Sequence, residues 1–490
     1  MKVAIASYEV YPFAKVGGLA DVVGSLPKAL KSFDEIEEII VLMPKHKIVE
    51  KNAEKFGYEI EPVKAGIPVP ILKTNEKFDI YKSTLPGSDV TVYMIANDYY
   101  YSSEKVYEGP DPAEPEIFFS AAIIYALKEL DFKPDILHVN DWHTALVPVY
   151  LKTVFRDDPF YKDTATVLTL HNIGAPYQGR IDRSYMEFAG LPDYLYNIDG
   201  LEFYGQINLL KGGILFSDVI NTVSPTYAQE IQTEEYGNGL EGVLKVRSSD
   251  LYGILNGIDP EMYDELLEKV GYKPFDLKNL EAKKENKKLL REEMNLSESN
   301  SPIIGMITRL VDQKGLDLVY EISDYMILLG AQLVVLGTGD PKYENMFKEM
   351  EKRYPGKVKA NITFNNELAA KIYASSDMFL MPSRYEPCGL GQMFAMRYGT
   401  SPIVRYTGGL ADSVKEYDPE SGEGTGFGFK PYDSAHLLKA IARAIFFYNQ
   451  PEHWNKIVKN AMSQDFSWNR SAGEYLKLYK VALSKVRGGM

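Results

Sequence analysis

The stretch from Phe379 to Tyr398 reads FLMPSRYEPCGLGQMFAMRY. Its apolar start shows no in–out alternation and stops at Met381, the pattern of a strand buried on both faces. Pro382, Ser383 and Arg384 then turn the chain, and a helix begins near Gly389. Pro387 disfavours a helical conformation in the residue before it, so Glu386 is held extended, just past the strand end. A strand that passes through a short polar turn into a helix is the repeating unit of a parallel α/β sheet, and ligands gather outside the carboxyl ends of such strands. Glu386 therefore reads as a ligand-facing carboxylate, or as an ordinary charge at a helix start. The amides near Gly389 and Leu390 are placed to hold a phosphate or a sugar hydroxyl. Cys388 reads as a small, partly buried residue, or as a thiol whose pKa a helix start would lower.

The same unit recurs to either side. Short apolar runs at 302–307, 331–337, 360–364, 377–381 and 402–405 form one series, and 3–7, 38–43, 90–95, 135–139 and 166–170 form another, with a further short strand inside 214–223. Helical stretches such as 116–130 separate them. Strands without alternation, divided by helices, predict parallel sheets covered on both faces. Between the two series lies GILNGIDP at 253–260, which is loop chemistry, followed by a Lys/Glu-rich helical stretch at 276–300. The expected boundary falls near residue 255, with an amphipathic helix over 466–490 closing the chain. Two domains also follow from the 490 residues, since single cores stop growing near ~250–300.

The net charge of −14 argues against a nucleic-acid or anionic-membrane partner, because both recruit basic surfaces. No apolar run approaches the ~20 residues that span a bilayer, and MKVAIASYEVYPFAK reads as a strand rather than a secretory signal. A single cysteine excludes an intrachain disulfide and a Cys-rich zinc site, and the six histidines show no metal-ligand spacing. A reducing cytoplasm is the simplest location.

Three further groups of residues fall at predicted strand ends. Lys15 stands two residues before Gly17 and Gly18, and Gly17-Gly18-Leu19-Ala20-Asp21 recurs as Gly408-Gly409-Leu410-Ala411-Asp412. Paired glycines ahead of a helix let a ligand approach bare backbone, and a Lys beside them suits a phosphate. Neither copy is GxGxxG, so no dinucleotide fingerprint is signalled. Arg309 and Lys314 follow the strand near 303–307, a fork and a point charge fit for a diphosphate, or a surface pair closing salt bridges. His138, Asp141, Trp142 and His143 end one strand and His171 and Asn172 another. With no carboxylate cage beside them, sugar-hydroxyl recognition is more economical than a metal.

Taken together and in order, these motifs resemble the bacterial glycogen synthase and plant starch synthase family from end to end. The matching segments are Lys15–Val22, Asn140–His143, His171-Asn172, Tyr177–Gly179, Val223–Tyr227, Gly253–Asp259, Arg309-Leu310 with Lys314-Gly315, Pro382–Leu390 and Thr407–Asp412. The resemblance implies a GT-B fold. Two Rossmann-like doubly wound domains would face each other across a deep cleft: an N-terminal acceptor or catalytic domain over 1–255, completed by a crossover helix at 466–490, and a C-terminal nucleotide-sugar-binding domain over 256–465. It implies retaining transfer of glucose from ADP-glucose, less often UDP-glucose, to the non-reducing end of an α-1,4-glucan such as glycogen. It implies no metal and no other cofactor, and it fixes no oligomeric state. By position, Lys15 resembles the lysine touching the donor phosphate, beside Gly17, Gly18 and Asp21. Arg309 and Lys314 resemble the pair that neutralises the leaving diphosphate, and Glu386 the carboxylate near the transferred glucose. His171 with Asn172, Asp141 and Asn256 resembles the lining of the glucose pocket, Tyr373 the aromatic beside the base, and Cys388, Gly389 and Leu390 the turn near phosphate or glucose.

Two positions depart from the family pattern. Gly391 stands where Thr is usual, removing a hydroxyl, and Gly174-Ala175-Pro176 is longer than the usual single residue. A glycosidase of retaining type would use two carboxylates about 5–5.5 Å apart; Glu386 alone stands out here, which favours front-face attack by the acceptor hydroxyl over a covalent intermediate. The alternatives are another GT-B sugar transferase, or a non-catalytic sugar-nucleotide or glucan-binding protein.

Overall fold

The computed structural model describes residues 1–488. The chain divides into two compact units, Met1–Gly257 together with the stretch beginning at Trp468, and Ile258–Ser467. The last two residues of the expected 466–490 helix lie outside the described residues.

The first unit is built on a nine-stranded sheet. Its strands are β1 (Lys2–Ala6), β2 (Glu38–Pro44), β3 (Glu61–Pro68), β4 (Lys77–Thr84), β5 (Thr91–Ala96), β6 (Ile136–Asn140), β7 (Ala165–Leu170), β11 (Val219–Thr222) and β12 (Leu251–Gly253). A separate three-stranded sheet contains β8 (Arg180–Ile181), β9 (Glu202–Phe203) and β10 (Gln206–Asn208). The large sheet runs β12-β11-β7-β6-β1-β2-β5-β4-β3. From β12 to β5 every pairing is parallel; β4 and β3 are antiparallel. The parallel strands β1, β6 and β7 are buried almost throughout, as expected of a sheet covered on both faces. Strands β3 and β4 went unpredicted for a physical reason. β4 alternates buried and exposed residues and β3 exposes nearly every side chain, so neither shows the apolar run that marks a central strand.

The helix Trp468–Arg487 belongs to the first unit. Tyr479 Oη lies 2.8 Å from His138 Nδ1, and Asn221 Nδ2 donates to Tyr475 Oη at 3.2 Å. His138 Nε2 is bonded to Thr169 Oγ1 at 2.6 Å. His138 is thus a satisfied core residue, not part of a sugar site.

The second unit has one parallel six-stranded sheet, ordered β15-β14-β13-β16-β17-β18. The strands are β13 (Ile303–Ile307), β14 (Gln332–Leu336), β15 (Val358–Asn361), β16 (Met378–Met381), β17 (Ser401–Arg405) and β18 (Phe427–Phe429). β15 ends three residues before the expected 364, because Asn365 caps the next helix by accepting from Leu368 N at 2.9 Å. Residues 362–364 become a loop, with Phe364 81% exposed. Among the described residues no helix is long and apolar enough to cross a membrane.

Candidate active site

Parallel strands deliver their following loops to one edge of a sheet. In the first unit, β1, β6, β7 and β12 carry Lys15, Asp141, His171 and Asn256 on those loops. The loop after β1 is organised by a residue whose role the sequence reading missed, Glu9. Glu9 is 3% exposed, and its Oε2 accepts from Gly17 N at 2.8 Å and from Val16 N, while Tyr107 Oη donates to Oε1. A carboxylate inside an apolar strand-end loop was the available signal. Lys15 itself is exposed and bonds both oxygens of Asp21, at 2.6 and 2.8 Å.

Asp141 sits at φ +56°, outside the ordinary range for a residue with a side chain, at a cost of about 1–3 kcal/mol. Its carboxylate accepts from His171 N at 2.7 Å and ties the β6 loop to the β7 loop. Burial pushes its pKa up to about 7. His171 Nε2 lies 2.9 Å from Asn140 Oδ1, and Asn140 Nδ2 donates to Ala6 O at 3.0 Å. The amide is therefore oriented with its oxygen toward the ring, so Nε2 carries the proton and Nδ1 is an acceptor. Burial lowers the His171 pKa to about 3, which keeps the ring neutral. Asn256 is buried, and its Oδ1 has no partner among the described residues. Asn172 Oδ1 accepts from Gly174 N at 2.9 Å, and the longer segment that follows forms a short turn, Ala175–Tyr177. Gln178 is a structural residue, bonded to Ile173 O at 2.7 Å and to Asn208 Nδ2 at 2.8 Å. Trp142 packs so closely that a Cβ on Gly179 would fall 2.5 Å from its ring.

In the second unit, three loops after β13, β16 and β17 converge on Glu386. Lys314 Nζ donates to Glu386 Oε2 at 2.6 Å, and Ser383 Oγ to the same oxygen at 3.0 Å. Both charged side chains are largely buried, so this pair is shielded from the solvent that weakens surface ion pairs. The approach depends on glycine. Gly315 has φ +70°, and a Cβ there would lie 2.1 Å from Pro382 O. Arg384 N donates to Gln313 O at 2.8 Å, and Gln313 Nε2 to Tyr385 O at 3.1 Å, zipping the two loops together. From the other side Gly409 N donates to Glu386 O at 3.1 Å, and a Cβ on Gly408 would stand 1.9 Å from that oxygen. Arg309 follows β13 with its side chain exposed. Cys388 is buried, Gly389 takes φ +72°, and Leu390 is partly exposed ahead of the helix Gly391–Arg397.

Tyr373 is placed differently from the expectation. Its ring is enclosed by Tyr263, Phe379 and Phe394, with centroids 5.5, 5.1 and 5.8 Å away, so it offers no face to a base. Phe364, just beyond the carboxyl end of β15, is an exposed aromatic. Reading residues 360–364 as strand concealed it.

Among the described residues, no group of three or more His, Cys, Asp or Glu side chains could hold a metal ion. A hollow of about 370 Å³ lined by Tyr58, Glu61, Lys82 and Thr91 lies at the opposite, amino edge of the first sheet, where β5 begins.

Residues 2–246 match the starch synthase catalytic domain and residues 288–463 match the glycosyl transferases group 1 domain. The chain is 65% identical over 489 residues to a glycogen synthase of Thermosipho africanus, covering 99% of this chain and all of that one. It is 64% identical over 488 residues to a glycogen synthase of Thermotoga maritima, with 99% and 100% coverage. The catalytic domain of starch synthase IV from Arabidopsis thaliana, solved with ADP and acarbose, superposes with a TM-score of 0.87 at 34% identity, over 99% of both chains. A sucrose-phosphate synthase from Thermosynechococcus elongatus shares the fold alone, at TM-score 0.58 and 17% identity over 98% of both chains.

Proposed function

The chain belongs to the glycogen and starch synthase family of GT-B glycosyltransferases, and from that premise we propose that it transfers glucose from ADP-glucose to the non-reducing end of an α-1,4-glucan with retention of anomeric configuration. The observation that carries this reading is the buried Lys314–Glu386 pair, clamped by three strand-end loops with Arg309 beside the first of them. The names of the relatives and the ADP and acarbose held by the plant enzyme support the donor and acceptor classes.

Breaking the bond between the anomeric carbon and the phosphate oxygen leaves positive charge on the sugar and negative charge on the nucleotide. Fixed cations aimed at the departing charge are usually the largest catalytic contribution. Lys314 is assigned that role; an ammonium has three donors, so it can hold Glu386 and still bond a phosphate oxygen. Arg309 adds a forked contact, and Lys15 bonds phosphate by leaving Asp21. Glu386 orients the sugar and stabilises its positive charge while the acceptor hydroxyl attacks from the leaving-group face, its proton passing to the departing phosphate oxygen. The acceptor nitrogen of His171 and the unpaired Oδ1 of Asn256 suit glucose hydroxyls, as do Asp141 and Asn172 beside them. The base stacks on Phe364 rather than Tyr373.

The test is incubation with radiolabelled ADP-glucose or UDP-glucose, with and without glycogen. Label should enter polymer faster from ADP-glucose, require glycogen, persist in EDTA and be released as maltose by β-amylase. No incorporation from either donor would overturn the assignment. Lys314→Ala and Glu386→Ala should each lower turnover by about 10²–10³. Phe364→Ala should raise the donor KM roughly ten-fold while sparing the glucan KM, as expected for a lost stacking contact.

A further inference from the structure

Gly391 is not glycine for the sake of its backbone, since its φ is not positive. What excludes a side chain there is two neighbours. A Cβ would meet Phe379 Cε1 at 2.9 Å, Phe379 Cζ at 3.3 Å and the Tyr373 hydroxyl at 3.3 Å. Tyr373 thus sends its one polar side-chain atom to the very position at which the family pattern usually supplies a threonine.

Resting on the functional reading above, we propose that Tyr373 is a donor-binding residue whose hydroxyl occupies the place of a side chain at position 391 and donates a hydrogen bond to a phosphate oxygen of the sugar nucleotide.

The hydroxyl is rigidly aimed. Its helix, Asn366–Ser375, is capped by Asn365 and tied down where Thr400 Oγ1 donates to Tyr373 O at 2.6 Å. The ring is gripped by three aromatic neighbours, Tyr263, Phe379 and Phe394. Tyr373 is 4% exposed, and among the described residues no group is hydrogen-bonded to its hydroxyl. The hydroxyl oxygen is not sealed inside the core, so a ligand atom can reach it and complete its hydrogen bonding. Burial also holds its pKa well above the ordinary value, so it stays a proton donor and matches an anionic oxygen. Gly391 lies on the same turn as Glu386 and Gly389, whose hypothetical Cβ would stand 3.1 Å from Glu386 Cγ. Lys314, assigned above to the leaving phosphate, is bonded to Glu386 on that turn, and this names a phosphate oxygen as the partner. The Gly391 departure is then half of an exchange: the hydroxyl is supplied from the neighbouring helix instead.

The experiment measures ADP binding by calorimetry, together with ADP-glucose kinetics on glycogen, for the full-length chain. Tyr373→Phe removes only the oxygen. It should weaken ADP and raise the donor KM by about five- to ten-fold, leaving kcat, the glucan KM and the melting temperature close to wild type. Gly391→Thr alone should lower the melting temperature, because its Cβ has no room. In a Tyr373→Ala background, Gly391→Thr should instead recover ADP affinity, since Phe379 can shift into the vacated space. Wild-type ADP affinity and donor KM in an active Tyr373→Phe enzyme would overturn the inference while leaving the functional reading intact. A wild-type chain that binds neither ADP nor ADP-glucose would overturn the reading itself, and this inference with it.

Discussion

Gly-Gly-Leu-Ala-Asp occurs once in each unit, and the two copies are glycine-rich for different reasons. At Gly17 and Gly18 no atom lies within 4 Å of where a Cβ would be built, and neither residue has a positive φ. At Gly408 and Gly409 a Cβ would lie 1.9 Å from Glu386 O and 2.1 Å from Cys388 O, and Gly408 has φ +45°. The amide partners differ as well. Gly17 N is held by the side-chain carboxylate of Glu9, whereas Gly409 N is held by the backbone carbonyls of Glu386 and Pro387. In the second unit the glycines serve the protein's own packing, letting one loop seat against the turn that carries Glu386. In the first unit, among the described residues, no packing contact beyond the neighbouring backbone demands them, and a side chain there would meet open space. An identical five-residue string therefore marks a packing device in one place and an unobstructed stretch of backbone in the other.

Alanine substitution separates the two. Gly408→Ala and Gly409→Ala should cost about 3 kcal/mol or more, because backbone rather than a flexible side chain is in the way; denaturant unfolding measures this. Turnover should fall with them as Glu386 moves. Gly17→Ala and Gly18→Ala should leave stability unchanged, or raise it by up to about 1 kcal/mol at Gly18, the first helical residue. Their effect should appear in the donor KM, roughly ten-fold higher, with the glucan KM unmoved. Equal destabilisation by all four would erase the distinction. Glu9→Ala sharpens it. Loss of a charged acceptor shared by two amides and a tyrosine should cost about 2 kcal/mol locally. It should speed amide hydrogen exchange at Val16 and Gly17 while leaving Gly409 protected.

The smallest expected effect concerns pH and arises mostly in the first unit. Burial lowers His46 to about 4 and His138, His143 and His171 to about 3, so the unfolded chain binds their protons and the folded one does not. Stability from this source rises with pH up to the unfolded histidine value near ~6.5. Burial raises Asp141 to about 7 and Glu116 to about 8, so the folded state holds protons that the unfolded state has released. That contribution falls as pH climbs from about 4 to about 8. The four histidines outweigh the two carboxyls below ~6.5, and above it the carboxyls are opposed by Lys283 of the second unit, which burial lowers to about 7 and whose contribution rises with pH, so these groups together predict stability that climbs to ~6.5 and then levels off. Glu116→Gln should turn the level alkaline side into a rise with pH, followed as melting temperature against pH.

Most of the fold was legible because central parallel strands announce themselves as unbroken apolar runs, and because glycine and proline punctuate their ends. The antiparallel margin was not, since β3 and β4 are too exposed to carry that signal. In the site, Lys15, Arg309, Lys314 and Glu386 were readable as charges at strand ends. What a sequence does not reveal is whom each charge meets. Glu9 was given no role from the sequence and proved to be an anchor. Tyr373 was matched by resemblance to the aromatic beside the base, yet only 4% of it is exposed, while Phe364, hidden by a strand boundary set three residues too late, is 81% exposed. The Phe364 error traces to where a strand stops, whereas that for Tyr373 traces to aromatic packing around a helix, which the sequence does not display.

The helix Trp468–Arg487 has a consequence for how the protein is made. It packs on the helix Gly18–Lys31 and on β7, and Lys480 pairs with Glu35 at 2.9 Å. Everything else in that unit has been synthesised by Gly257, and the 210 residues Ile258–Ser467 are translated before its last helix exists. At ~5–20 residues per second that interval is roughly 10–40 s. Throughout it, the groove awaiting Tyr475 and Tyr479 stays open on a nascent chain, so the first part of the polypeptide to be synthesised is the last to be finished.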